Sequence, residues 1–359
     1  MKTQKLICTF LSLLFLLMPI AGAAMETDQY DLPPVPLADI GDEVSEHVEN
    51  AIRLALAKVN AEIIKHQACL DAKNGGLAGC RSASAEQKKI EYLRSNDAVA
   101  YETYKQLGFG TLFTARIGKW MYSHKFSGDP SQYKTTYLES IYIAEPIDYL
   151  TISPTVNLYG AQFGTDKLEH MFQQGYDYYK IHKNTVARGE TTQAAAKKAV
   201  KWGQMTEKTY FGWLVSGVYS NADLVANYTG MKFYQGLTAA VKIGDATRPA
   251  ILVQKEGVWA FNGDADLRRD LIRPFLTEHL NEALNPSVYS FLLYPSVYDI
   301  VRKKSCPQWV KAFPGLSKSA ADATTKSLTL WNGVDYGHLD GKTTVTIGET
   351  CFSGNIASK

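Results

Sequence analysis

Four cysteines beyond the N-terminal region constrain this fold more than any other feature of the sequence; they are Cys69, Cys80, Cys306 and Cys351. An even number of cysteines in an exported chain predicts two disulfides, for which three connectivities exist. We favour Cys69–Cys80, because the Asn-Gly-Gly segment at 74–76 supplies a flexible turn between them. Cys306 then pairs with Cys351 and ties the C-terminal tail to the body. A zinc site is the alternative, but CxxC spacing is absent.

The N-terminus predicts export. Lys2 and Lys5 precede an apolar run that ends at Ile20, and small residues follow at 21–24. This order is typical of a secretory signal peptide, so we predict that residues 1–24 are removed, with cleavage near Ala23 or Ala24. A membrane anchor is the alternative, but the run is shorter than the about 20 strongly apolar residues that a transmembrane helix needs. We expect a periplasmic or secreted protein without a transmembrane segment.

The charge balance excludes one class of partner. Lys and Arg total 38, Asp and Glu total 36, and the formal net charge is +2. A strongly basic surface is the usual electrostatic basis of nucleic-acid binding. We therefore expect no nucleic-acid partner.

The periodicity of the apolar residues predicts mostly helices. From Val44 to Ile64 they recur at helical spacing, with charged residues on the opposite face. Further helices are predicted over 84–106, 165–183, 191–202, 206–218, 221–237, 264–284 and 287–304, and strands over 253–261 and 343–347. Because no repeat or linker divides the chain, we predict a mainly α fold: a single helical domain over 25–359 with small peripheral β elements, stapled by two disulfides.

The first group of chemically interesting residues lies at the start of a predicted helix. Asp166 and His170 are four residues apart and share one helix face, and Glu169 lies partly on that face. A carboxylate beside an imidazole orients the ring or joins it on a metal ion. The alternative is that Asp166 is a first-turn acid favoured by the helix dipole.

A second group lies in and before another predicted helix. Asp223 and Asn227 share one face of a largely apolar helix, so they need buried partners. Glu207 precedes that helix in the chain, and Ser220 stands at its start. The structural alternatives are a helix-terminal acid for Glu207 and an N-cap for Ser220.

These motifs resemble a known pattern. Asp166-Lys167-x-x-His170, a later Glu, and Ser220-x-x-Asp223-x-x-x-Asn227-x-x-Gly230 are similar to the motifs of YfiM-type bacterial envelope proteins. The first motif is more weakly similar to VanZ-like membrane proteins. The resemblance covers about residues 160–237, which we take as the motif core. It implies a helical, envelope-located protein in which Asp166, His170, Glu207 and Asp223 are drawn together. The chain departs from the pattern by lacking the Asp that commonly follows the Glu.

A third group lies where a predicted helix ends before a proline. Glu282 is three residues after His279, so the two side chains can meet. The alternative is a set of exposed polar residues at a helix end. The candidate substrate-binding residues are Lys167, Tyr176, Ser220, Asn227, His279 and Glu282. Tyrosine rings such as that of Tyr176 offer stacking faces to sugars.

No GxSxG element, P-loop, HExxH or nucleophilic cysteine setting is visible, so acid–base chemistry by carboxylates and histidine remains. We expect an exported hydrolase or lyase that acts on a cell-envelope polymer or a small envelope substrate, with peptidoglycan glycan strands as the first choice. Glu207 or Glu169 would be the acid, Asp166 or Asp223 would stabilise charge or activate water, and His170 would orient its neighbouring acid.

Two alternatives stay open. A divalent metal ion, the one cofactor considered, would bind among Asp166, His170, Glu207 and Asp223 and activate water. The other alternative is a non-enzymatic structural or binding protein of the envelope, in which the same residues form a buried polar network.

Overall fold

Helices dominate the chain in the computed structural model, which describes residues 26–72, 80–111, 114–144, 152–209, 212–214 and 216–352. The predicted signal peptide and the 74–76 turn lie outside these residues. The helices are α1 Gly41–Asp71, α2 Ala83–Leu93, α3 Asn96–Leu107, α4 Arg116–Ser123, α5 Asp166–Phe172, α6 Gln174–Val186, α7 Thr192–Glu207, α8 Asn221–Gly236, α9 Leu267–Asp270, α10 Tyr294–Ile300, α11 Cys306–Ala312, α12 Lys318–Ser327 and α13 Ile347–Phe352. A π-helical turn, Val301–Ser305, joins α10 to α11.

The strands are short and pair antiparallel. They are β1 Gly110–Thr111 with β2 Thr114–Ala115, β3 Gln132–Tyr133 with β4 Thr155–Leu158 and β5 Ala161–Gly164, β6 Val218–Tyr219 with β11 Val288–Tyr289, β7 Val241–Ile243 with β8 Ala246–Arg248, and β9 Leu252–Lys255 with β10 Val258–Phe261. The mainly α prediction with small β elements is confirmed. The β9–β10 hairpin also confirms the strands expected over 253–261.

Both disulfides form as expected. The N-terminal disulfide joins Cys69 to Cys80, and the C-terminal disulfide joins Cys306 to Cys351. None of the helices within the described ranges combines the length and apolar character that a bilayer crossing requires.

Several predicted helices differ from the structure. The 84–106 helix is two helices, α2 and α3, and the 165–183 helix is interrupted at Gln173 between α5 and α6. The predicted 206–218 helix is wrong, because α7 ends at Glu207 and the later residues enter β6. The 264–284 helix is also wrong: α9 and two 3₁₀ turns, Arg273–Phe275 and Glu278–Leu280, replace it.

Long-range strand pairing explains the error near 287. Val288 and Tyr289 pair with Tyr219 and Val218, so the predicted 287–304 helix begins only at Tyr294. Likewise, the strand expected over 343–347 is reduced to one bridge at Thr344 before α13 begins. Helix periodicity carries no information about such distant partners.

Two glycines let the motif helices approach closely. A side chain on Gly175 of α6 would meet the backbone of Gly230 on α8, and one on Gly230 would overlap the carbonyl oxygen of Met171. Because these side chains are missing, α8 packs directly against α5 and α6. The close contact places Asp223 and Asn227 beside His170.

The N-terminal segment 26–31 is buried rather than exposed. Thr27 donates to Asp166, and the backbone carbonyl of Tyr30 accepts from the indole of Trp309 at 2.9 Å. The segment therefore contacts both α5 and α11, two helices that lie far apart in the chain.

Candidate functional site

Lys167 is the centre of the polar cluster between α5 and α8. Its ammonium nitrogen lies 2.5 Å from Asp166 Oδ2 and 2.6 Å from Asp223 Oδ1, and it also binds Glu282 Oε1. All four side chains are buried. Burial by itself lowers the pKa of Lys167, but the three carboxylates outweigh it and hold that pKa well above its usual value. Lys167 is thus a permanent cation that links three parts of the chain.

The carboxylates of Asp166 and Glu282 accept further hydrogen bonds. Thr27 donates to Asp166 Oδ1 at 2.7 Å, and Tyr142 donates to Glu282 Oε2 at 3.3 Å. Ser220 donates to Glu282 Oε1 at 3.3 Å while its hydroxyl oxygen caps α8 by accepting from the Asp223 amide. The N-cap interpretation of Ser220 is confirmed, and the residue has a second role as a carboxylate partner.

His170 is oriented by α8. Its Nδ1 lies 3.2 Å from Asn227 Oδ1, and the Asn227 amide nitrogen donates to Gln174 Oε1 at 3.1 Å. With the Asn227 carbonyl facing the ring, Nδ1 carries the proton. The other ring nitrogen, Nε2, then lies 3.3 Å from Asp223 Oδ2 and needs a proton or a cation between the two atoms. An amide carbonyl behind one nitrogen and a carboxylate beside the other is typical of a metal-ligating histidine.

Glu207 completes this side of the cluster. Its side chain is fully buried at the end of α7, and Oε2 accepts from the backbone amide of Ser220 at 3.4 Å. Oε1 has no hydrogen-bond partner among the described residues. Burial first, and the charge of Asp223 second, raise the pKa of Glu207 well above its usual value. Burial therefore favours the neutral form of this acid until a cation approaches it.

Two sets of ligand atoms in this cluster are close enough to hold a metal ion. Within each set the atoms lie within 4.8 Å of one another: His170, Glu207 and Asp223 in the first, and Asp166, Asp223 and Glu282 in the second. The Lys167 ammonium already forms ion pairs with all three carboxylates of the second set. The first set, with one imidazole and two carboxylates, fits Zn²⁺, Mn²⁺ or Fe²⁺.

The charges of the cluster favour another cation. Asp166, Asp223, Glu282 and Glu207 surround a single lysine. Burial raises the pKa of Glu282 to about 7, even though the charge of Lys167 opposes the shift. Unbalanced buried carboxylates must bind protons or a cation. His170, with 13% of its side chain exposed, is the least buried member and marks the route to solvent.

Three candidate residues have other partners. Glu169 accepts from the backbone amide of Ala115 at 2.6 Å, at the start of α4, and its carboxylate fills the space beside Gly118. Burial raises the pKa of Glu169 to about 8. Tyr176 stacks on Tyr104 with ring centroids 4.4 Å apart. Glu169 therefore supports α4, and Tyr176 belongs to an aromatic cluster.

His279 is the third. Its Nδ1 pairs with the Thr277 hydroxyl and its Nε2 with the Leu330 carbonyl, each at 3.1 Å. The prediction that His279 and Glu282 meet is wrong, and so is the alternative of an exposed helix end for Glu282, because Glu282 is fully buried against Lys167. The backbone turns away from a helix after Leu280, which sends the two side chains to different partners.

Sequence reasoning missed the N-terminal contribution to the cluster. Thr27 binds Asp166, and Gln29 Oε1 accepts from the Glu282 amide at 2.7 Å. Ser216 donates to Glu26 at 2.6 Å. The polar segment Glu26–Asp31 carries no local pattern that distinguishes it from an exposed tail, so only tertiary contacts reveal its role.

Comparison of the chain with protein-family models, curated proteins and solved structures finds no match. The resemblance to YfiM-type and VanZ-like proteins stays a prediction.

Proposed function

We propose that this protein is an exported, metal-dependent hydrolase of a cell-envelope polymer, with a divalent cation held by His170, Glu207 and Asp223. The observation that carries the proposal is that ligand atoms of His170, Glu207 and Asp223 lie within 4.8 Å of one another, while the buried Oε1 of Glu207 has no hydrogen-bond partner among the described residues. A metal ion would accept lone pairs from all three atoms. It would displace the proton from Glu207 and balance the excess negative charge.

The spacing of the acids favours metal-assisted hydrolysis over direct glycosidic acid–base catalysis. Oxygens of Glu207 and Asp223 lie within 4.8 Å of each other, whereas an inverting glycosidase separates its carboxyl groups by about 6.5–9.5 Å. A retaining pair needs a carboxylate that reaches the sugar, but Asp223 is buried and bound to Lys167. A cation at this place supplies a Lewis acid and lowers the pKa of the water that it holds.

The surrounding residues have separate tasks. Asn227 holds the His170 ring in the tautomer that exposes the Nε2 lone pair. Lys167 balances Asp166 and Glu282 and keeps them from competing for the ion. The exposed edge of His170 gives a substrate its access. The predicted export, the two disulfides and the resemblance support an envelope polymer, and peptidoglycan is the first substrate to test.

The non-enzymatic alternative also has a specific observation in its favour. Lys167 joins Asp166 of α5, Asp223 of α8 and Glu282, three distant points of the chain. Such a network can set the register of packed helices without any chemistry. In that case Glu207 stays protonated, and divalent cations have no effect on the protein.

Metal binding separates the two functions. After dialysis against EDTA, the thermal midpoint of the wild type should rise on addition of Zn²⁺ or Mn²⁺, because a ligand at 100 times its Kd stabilises by about 2.7 kcal/mol. Glu207→Gln and His170→Ala should lose this rise. His279→Ala is the matched control, because His279 lies among other partners. Equal midpoints of the wild type with EDTA and with each metal would reject the metal site.

Activity is tested on purified peptidoglycan sacculi, by the release of soluble fragments. Release should require the metal and should disappear in His170→Ala while His279→Ala keeps it. Fragments with new reducing ends would identify glycan cleavage, and new amino groups would identify peptide cleavage. Release that persists unchanged in His170→Ala would contradict the proposal.

A further inference from the structure

Three large apolar side chains project from two loops. Leu214, Phe291 and Leu292 have 74%, 75% and 75% of their surface exposed, the highest values for large apolar residues in the described part of the chain. Scattered single exposed residues are ordinary, but neighbouring ones mark interaction sites.

The two loops lie side by side because β6 pairs with β11. Leu214 belongs to a turn closed by the Ser216 amide, which donates to the Gly212 carbonyl at 2.9 Å. The next residue, Gly217, accepts from the Ser290 amide at 2.7 Å, immediately before Phe291. We call Leu214, Phe291 and Leu292 together the apolar tip.

The sequence around the apolar tip is free of charge. Neither 209–222 nor 283–298 contains an Asp, Glu, Lys or Arg. The exposed charged residues that border these stretches in the sequence are Lys208, Glu278, Asp299, Arg302 and Lys303, three basic and two acidic, with a net charge of +1. Asp299 pairs with Lys303 at 2.7 Å. Tyr294 and Tyr298, which are partly exposed, follow the tip in the sequence.

We propose that the apolar tip inserts into the surface of an anionic phospholipid bilayer. The large apolar side chains at the loop ends suit the apolar interior of such a bilayer. The tyrosines that follow them suit the membrane–water interface, and the basic residues at the border suit the headgroup layer. The net positive border complements anionic headgroups. Uncharged loops on both sides avoid the desolvation that acidic residues would suffer at this depth.

Docking would bring the proposed metal site to the membrane surface, a consequence that rests on the proposed function. The Trp213 amide donates to the Glu207 carbonyl at 2.7 Å, and Gly212 packs against the Glu207 carboxylate. The turn that carries Leu214 therefore adjoins the end of α7. The geometry favours a substrate attached to, or assembled at, the bilayer over a freely diffusing one.

The test is co-sedimentation of the full chain with phosphatidylglycerol vesicles and, separately, with phosphatidylcholine vesicles. The wild type should bind the anionic vesicles more tightly, and salt should weaken this binding. The double variant Phe291→Ser and Leu292→Ser should bind about tenfold or more weakly, because two large apolar side chains no longer enter the lipid. Leu54→Ser with Ile64→Ser is the matched control, since both residues are well exposed on α1; it should bind like the wild type.

Circular dichroism and the thermal midpoint verify that each variant is folded. Failure of the folded wild type to bind either vesicle would overturn the proposal, as would equal loss in the control variant. A dimer that the tip variant dissociates, without any vesicle binding, would instead assign the tip to a second copy of the chain. His170→Ala should bind vesicles like the wild type, so failure of the proposed chemistry is distinguishable from failure of the docking.

Discussion

Replacement of Lys167 by methionine tests the role of the buried ammonium. The substitution nearly preserves the length of the side chain but leaves Asp166, Asp223 and Glu282 facing one another without their shared cation. Removing one partner of a buried ion pair costs about 3–5 kcal/mol. Because three carboxylates lose their partner at once, we expect the free energy of unfolding at pH 7 to fall by about 5 kcal/mol, a large share of the roughly 5–15 kcal/mol typical of a folded protein.

The loss should depend on pH in a defined direction. Without the ammonium, the pKa of the buried Glu282 carboxyl should rise further above its value in the unfolded chain, which is about 4. Even with Lys167 present, burial raises the pKa of Glu282 to about 7. A raised pKa in the folded state destabilises the protein as pH increases through the interval between the two values. Lys167→Met should therefore lose less stability at pH 5 than at pH 7.

Urea unfolding followed by tryptophan fluorescence measures both effects. Lys180→Met is the matched control, because Lys180 forms an exposed pair with Asp177 at 2.6 Å on α6. Such surface pairs contribute about 0–1 kcal/mol. If Lys167→Met costs no more than the control and shows no pH dependence, the reasoning about the buried cluster is wrong.

Three further measurements test the fold. Replacing both cysteines of the C-terminal disulfide by serine should lower stability by about 4 kcal/mol, because the disulfide closes a loop of 45 residues. The same replacement in the N-terminal disulfide, whose loop spans 11 residues, should lower stability by about 3 kcal/mol. Urea midpoints show which variant loses more, and a larger loss for the N-terminal pair contradicts the chain-entropy explanation. Gly230→Ala should lower stability by about 1–3 kcal/mol, because the added methyl group overlaps α5. Gly236→Ala in the same helix should not, because its nearest contact would lie at 3.5 Å. Similar thermal midpoints for the two variants would refute the close-contact argument. Burial raises the pKa of Asp28 to about 6, so the wild type should lose up to about 3 kcal/mol of stability between pH 4 and pH 7. Asp28→Asn should make stability less dependent on pH over this interval. Parallel pH profiles of stability for the wild type and the variant would refute this prediction.

Local spacing predicted much of the candidate site. The four-residue separation of Asp166 from His170, and of Asp223 from Asn227, places each pair on one helix face, and the structure brings the two faces together. Helix geometry alone is enough to predict that the members of each pair share a face. The close contact at Gly230 brings the two faces together, because a helix without a side chain there can approach its neighbour.

The same spacing was misleading for Glu169, which lies one residue before His170 but points to the start of α4. A position partly on a face has more than one possible neighbour, and packing selects among them. Glu282 shows the converse: its sequence neighbours are typical of an exposed helix end, yet its carboxylate binds the buried Lys167.

Helical class, the main amphipathic helix and the disulfide pairs follow from the order of residues along the chain, because apolar periodicity, turn residues and cysteine spacing act over short distances. The ion cluster does not follow from that order. Its members come from segments near residues 27, 167, 223 and 282, and their protonation depends on how completely water is excluded. Desolvation and charge–charge distance are properties of the packed molecule, so the tertiary structure alone decides which acids bind the lysine and that Oε1 of Glu207 is left without a hydrogen-bond partner among the described residues.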